Sequence, residues 1–169
     1  MSILNEIEKY FKDKEVFVDM DGVLTDFDKH FETLGFGTVE EAEEETHKRV
    51  WRLVKDHGNK EFWSKMPWIH NGKKLWDIVK QYNPTILSSP IKDKSCYEGK
   101  REWVERELGP RVKVILRSDK ESLAHPNALL IDDRSKNIIN WKLKGGVGIK
   151  HKDNDLESTI NQLKKFIEE

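Results

Sequence analysis

The sequence predicts a doubly wound, mainly parallel α/β sheet, and three observations carry that expectation. Short apolar runs recur along the chain, within EVFVD, TILSS, VKVIL, ALLID and VGIK. Segments with apolar residues at helical spacing separate them, the pattern of strands joined by crossover helices that cover both faces of a sheet. Finally, four of these runs lead into polar or charged residues: Asp19-Met20-Asp21-Gly22, Ser88-Ser89-Pro90, Lys120 and Asp132-Asp133-Arg134. Open sheets of this kind bind ligands outside the carboxyl ends of their strands. One site there would gather all four groups.

The elements follow in order. Ile3, Ile7, Tyr10 and Phe11 predict an amphipathic helix over residues 3–12, with Ser2 as its cap. Val16 to Asp19 is the first strand. Phe27, Phe31 and Leu34 share a helical face that Gly35 can end. From residue 35 to 67 the composition changes: Thr38 and Glu41 form a capping box, five glutamates follow Val39, and Gly58 is a stop signal, so this stretch is expected to be a helical insertion. Beyond it come a helix from Asn71, a strand over Thr85 to Leu87, and a helix from Tyr97 to Leu108 halted by Gly109-Pro110. Strands at Val112 to Leu116 and Ala128 to Ile131, a helix at Asn137 to Leu143, a strand at Val147 to Ile149 and a last helix over 155–167 complete the order. Residues 1–34 and 68–169 are thus the expected core and 35–67 a cap, within a single domain of 169 residues.

Composition narrows the function. Thirty basic residues against thirty-one acidic ones give a formal net charge of -1, which provides no global footprint for nucleic acid or a membrane surface. A single cysteine, Cys96, rules out an internal disulfide, and the N-terminal sequence has no apolar stretch of signal or spanning length. The expectation is a cytoplasmic protein. The six histidines have no zinc-ligand spacing.

Asp19 and Asp21 raise the sharpest question, because a buried strand has no packing reason to end on two anions that oppose each other's ionisation. A divalent cation would compensate them. The chemistry that needs such a set is phosphoryl transfer through a carboxylate. Asp19 suits the nucleophile that becomes an aspartyl-phosphate, and Asp21 the general acid and base. Gly22 lets backbone approach a phosphate, Ser88 and Ser89 offer hydroxyls, and Lys120 supplies a fixed positive charge. Asp132 and Asp133 complete an all-oxygen ligand set of the kind Mg²⁺ prefers.

The ordered motifs DMDGVLTDF, ILSSP, SDK and LLIDDR resemble those of the haloacid dehalogenase (HAD) phosphatase superfamily, outside the insertion and the two ends. The resemblance implies a Rossmann-like HAD core with a small helical cap inserted after the first motif. DMDGVLTDFD, SSPIK, GKREWVERELGP and LLIDDR are most similar to the 5'(3')-deoxyribonucleotidase family. That likeness implies a phosphomonoesterase acting on nucleoside monophosphates, with Mg²⁺ held by Asp19, the Asp21 carbonyl and Asp133, and Asp132 behind them. The family's arginine stands one place early here, in Leu116-Arg117-Ser118-Asp119-Lys120. The stretch FWSKMPWIHNGKKLW instead resembles phosphatase-like HAD domains of RNA repair, which gives a nucleic-acid 3'-end phosphatase as the alternative. A non-catalytic phosphate-binding module is the third reading, one that would be expected to lack Asp19 or Asp21.

Trp76, Trp103 and Trp141 belong to helical core patterns. Trp51, Trp63 and Trp68 lie in or near the insertion, where they are candidates to face a base as well as to pack. Phe27 is placed near the nucleoside by the resemblance, and Lys100 is a further candidate contact on the substrate.

Overall fold

The computed structural model describes residues 2–6, 13–46 and 48–169. Strands β1 (Glu15–Val18), β2 (Thr85–Ser88), β3 (Val114–Leu116), β4 (Ala128–Asp132) and β5 (Val147–Lys150) form one sheet in the order β3-β2-β1-β4-β5, every pair parallel. β1 is central, with Val16 opposite Leu129 and Val18 opposite both Ile131 and Ile86. The chain builds outward to β3 on one side and then returns to β4 on the other. That reversal places a crevice at the carboxyl ends of β1 and β4.

Side-chain alternation divides the interior in two. Val16, Val18, Ile86, Leu129, Ile131 and Ile149 join a large cluster on one face, whereas Phe17, Leu87, Ala128 and Leu130 meet Ile138 and Trp141 on the other. Being covered on both faces, β1 and β4 are apolar at consecutive positions. β3 is an edge strand and only half-buried, and it is shorter than the expected 112–116.

From residue 27 onward eight α-helices, α1 to α8 in chain order, lie between the strands or, for the last, after them. α1 (Phe27–Phe31) starts where Asp26 accepts a hydrogen bond from the Lys29 amide, and it runs into a tight turn closed by Gly35 at φ +85°. α2 (Val39–Glu45) has the expected capping box. The single helical run expected from there to Gly58 is broken at Thr46, whose backbone is extended; α3 (Arg49–His57) follows, and then α4 (Lys60–Ser64), capped by Asn59. α5 (Gly72–Val79) precedes β2. α6 (Lys94–Glu107) begins three residues before the expected start, because Asp93 caps it. α7 (Ser135–Leu143) covers the smaller cluster, and α8 (Leu156–Glu168), capped by Asp155, the larger. At the N-terminus residues 3–6 are helical, while residues 7–12 of the expected first helix lie outside the described residues.

Residues 35–67 share the main core. Ala42, Val50, Leu53, Val54, Phe62 and Trp63 are buried in the same cluster as Val16 and Val18. Trp76, Trp103 and Trp141 are core residues, and the last two donate indole hydrogen bonds to the carbonyls of Met66 and Ala128. No helix of the described residues is long and apolar enough to cross a membrane.

Candidate active site

Asp19 follows β1 directly, and its amide still donates to Ile131 at 3.0 Å, so the ladder with β4 fixes where the carboxylate begins. The chain then wraps around the Met20 carbonyl, which accepts from the amides of Val23, Leu24 and Thr25 at 2.8–3.1 Å. This turn needs glycine at position 22. Gly22 has φ +82°, and a Cβ there would overlap the Asp133 carboxylate. The first and fourth motifs therefore meet at a residue without a side chain.

Two buried lysines hold the carboxylates. Lys120 Nζ donates to Asp19 Oδ1 at 2.9 Å and to Asp132 Oδ2 at 2.8 Å. Lys100 Nζ donates to Asp21 Oδ2 at 2.9 Å and to Ser88 Oγ at 2.7 Å. Thr25 Oγ1 completes the hold on Asp21 with a bond to Oδ1 at 2.8 Å. Asp132 also accepts from Asn137 Nδ2 and from the Arg134 amide, both at 2.9 Å. Asp133 Oδ1 is buried without a hydrogen-bond partner among the described residues.

These contacts set the charges. Burial pushes Asp19 well above the usual carboxylate range, and Asp132, Asp133 and Asp21 push it further, against the pull of Lys120. Burial and the neighbouring Asp132 raise Asp133 to about 6. Burial would raise Asp21 as well, but the charge and hydrogen bond of Lys100 outweigh it and hold that carboxyl below its ordinary value. For Lys120, burial opposes the charge, yet Asp19 and Asp132 keep the ammonium protonated. Asp19, Asp132 and Asp133 each offer an oxygen, all within 4.8 Å of one another. An all-oxygen triad with one orphaned carboxylate oxygen and two carboxyls that resist ionisation fits a hard divalent cation, with Asp132 in the rear because both its oxygens already accept hydrogen bonds.

The site opens into a cavity of about 350 Å³. Asp19, Asp21, Gly22, Ser88, Ser89, Lys120 and Asp133 line it together with Phe27, Trp51, Ile69, Ile91 and Arg134. Of the candidate substrate residues, Phe27 and Trp51 reach this cavity, their rings 5.4 Å apart. Trp63 is 2% exposed and stacks behind Phe27, while Trp68 packs on Trp103 and bonds Glu107; neither lines the cavity. Lys100 does not line the cavity; it is 1% exposed and bonded to Asp21 and Ser88, which do. Arg117 is turned away, its guanidinium paired with both oxygens of Asp119.

Three residues here were given no role by the sequence, although Thr25 and Arg134 lie within the quoted motifs. Thr25 and Asn137 act through hydrogen bonds to motif carboxylates four and five residues away, and Arg134 lies over the Trp51 ring at 5.8 Å.

Comparison with known proteins gives the architecture a context. No protein-family model and no curated protein matches the chain. Solved structures do. A predicted phosphatase from Clostridium acetobutylicum aligns with a TM-score of 0.60 at 14% identity, over 92% of this chain and 99% of that one. A hydrolase from Pseudomonas syringae gives 0.52 at 12% identity, over 90% and 98% of the two chains. A HAD hydrolase, family IA, variant 3, from Entamoeba histolytica gives 0.51 at 11% identity, over 92% and 100%. The chain shares the overall fold of these three structures, a parallel α/β sheet with helices on both faces. At such identities the likeness is one of fold, and none of the three is described as a nucleotidase, so reaction and substrate rest on the site itself.

Proposed function

We propose that this protein is a Mg²⁺-dependent phosphomonoesterase working through a phosphorylated Asp19, with nucleoside monophosphates as its substrates. One observation carries the reading: two carboxylates two residues apart, each bound to its own buried lysine, face a cavity beside an orphaned carboxylate oxygen. Asp19 attacks phosphorus while the ester P–O bond breaks, and Asp21, raised from its low resting value by the negative charge of the bound phosphate ester and so able to take up a proton, gives that proton to the departing oxygen. Asp21 then takes a proton from the water that attacks the phosphorus, which releases phosphate and restores Asp19. Lys120 keeps the nucleophile oriented and adds fixed positive charge next to the phosphoryl oxygens, and Ser88 supplies a hydrogen bond. Asp19, the Asp21 carbonyl and Asp133 would hold the magnesium ion, with Asp132 behind them. When bound, it neutralises the negative charge of phosphate and carboxylates.

Substrate size is argued from the cavity, whose volume of about 350 Å³ suits a small molecule. Phe27 and Trp51 line the cavity and offer aromatic surface for a flat base. Residues 35–67 act as a cap that contributes Trp51 to this wall. The test is phosphate release with Mg²⁺ across nucleoside monophosphates, sugar phosphates and 3'-phosphorylated oligonucleotides. Nucleoside monophosphates should give the highest kcat/KM. Preference for the oligonucleotide, with an affinity that falls steeply with salt, would move the substrate to nucleic-acid ends.

A further inference from the structure

We infer that Lys100 is a positioning residue that sets both Asp21 and Ser88, and that the Trp63 ring of the insertion holds it in place. The inference rests on the phosphomonoesterase reading and adds a residue to it. Lys100 projects from α6 on the buried face that also carries Cys96, Trp103 and Val104, so its aliphatic stem crosses the core before the ammonium reaches the site. Burying a cation is costly unless its hydrogen bonds are met. Here two of its three donors are accounted for by Asp21 Oδ2 and Ser88 Oγ.

The direction of those bonds matters. An ammonium only donates. Ser88 Oγ must accept from Lys100, and its own hydrogen is left to donate elsewhere; Ser88 lines the cavity, where a phosphoryl oxygen is the acceptor on offer. For Asp21, Lys100 grips one oxygen and Thr25 the other, from separate parts of the chain, which fixes the plane of the carboxyl group. A group that moves protons in both half-reactions depends on that orientation.

The insertion supplies the backing. Nζ lies 5.2 Å from the Trp63 ring centroid, and α4 touches α6 so closely at Gly99 that a Cβ there would overlap Trp63 and the Lys60 carbonyl. Trp63 also stacks on Phe27, with centroids 6.1 Å apart. The run Phe27–Trp63–Lys100–Asp21 thus joins the aromatic wall of the cavity to the acid-base carboxyl.

The test is a leaving-group series on the Mg²⁺-loaded protein with Lys100→Met and Lys100→Gln, each checked for a cooperative thermal transition. Protonation of the leaving oxygen is essential for an alkoxide and nearly dispensable for p-nitrophenolate. Loss of orientation at Asp21 should therefore lower kcat/KM for a nucleoside monophosphate by about 100-fold or more, the scale of acid-base help, and for p-nitrophenyl phosphate by less than about 10-fold. Losses of equal size on both esters, in whichever variant folds, would overturn the inference and leave the phosphatase reading standing. If both variants failed to fold, Lys100 would be a structural residue and the inference would fall. A wild-type protein that released phosphate from no ester would overturn the underlying reading and this inference with it.

Discussion

Lys120→Met offers a direct view of how the site is held together. Methionine has nearly the length of the lysine stem and packs in the same channel, so the change removes charge and hydrogen bonds with little cavity cost. Lys120 is 1% exposed and bonded to two buried carboxylates. Removing one partner from such a buried group typically costs about 3–5 kcal/mol, because the remaining charges lose their compensation. For a chain of this length that corresponds to a fall in Tm of roughly 6–20 °C. The assay is urea denaturation in chelator at pH 7.5 and pH 5.5. A proton can replace the ammonium on Asp19, whose carboxyl is already pushed upward by burial, so the loss should be smaller at the lower pH. A destabilisation under about 1 kcal/mol at pH 7.5, or one that is independent of pH, would refute the reasoning.

Further outcomes follow from the same geometry. Asp21→Asn should lower kcat by about 100-fold or more; a loss of a few-fold would assign the proton transfers to another group. Without metal, Asp133, held near pH 6, and the raised Asp19 keep protons that the unfolded chain releases at about pH 4. Stability of the metal-free protein should accordingly fall as pH rises through that interval. Because Mg²⁺ needs the ionised carboxylates, it should raise Tm more at pH 7.5 than at pH 5, and an equal rise at both would contradict the assigned ligands. Trp51→Ala should raise KM for nucleoside monophosphates by about 10-fold, from lost stacking of roughly 1–3 kcal/mol, and leave inorganic phosphate inhibition unchanged; unaltered KM would remove Trp51 from the base site.

What was legible in the sequence divides along physical lines. Strand ends with paired polar residues were visible because apolar runs, turns and charges are local signals, and the sheet order then brings Asp19, Ser88, Lys120 and Asp133 to one cavity. Thr46 was invisible as a break because the glutamate-rich and apolar segments around it both favour helix, and α4 is too short to show a period. The tryptophans could not be sorted by spacing alone, since an aromatic ring serves a core or a ligand wall equally well; only the packing of Trp63 behind Phe27 separates it from Trp51. Lys100 left a trace that charge obscured. Cys96, Gly99, Lys100, Trp103 and Val104 have the i, i+3, i+4, i+7, i+8 pattern of a buried helix face, and the lysine belongs to it.

The most direct measurement is acid quenching of the Mg²⁺-loaded protein during turnover of a radiolabelled phosphomonoester, followed by peptide mapping of any protein-bound label. Wild-type protein should carry a hydroxylamine-sensitive phosphoryl group on the peptide that contains Asp19, and folded Asp19→Asn should carry none and release no phosphate. Label on another residue, or near-normal phosphate release by Asp19→Asn, would contradict the assignment of Asp19 as nucleophile.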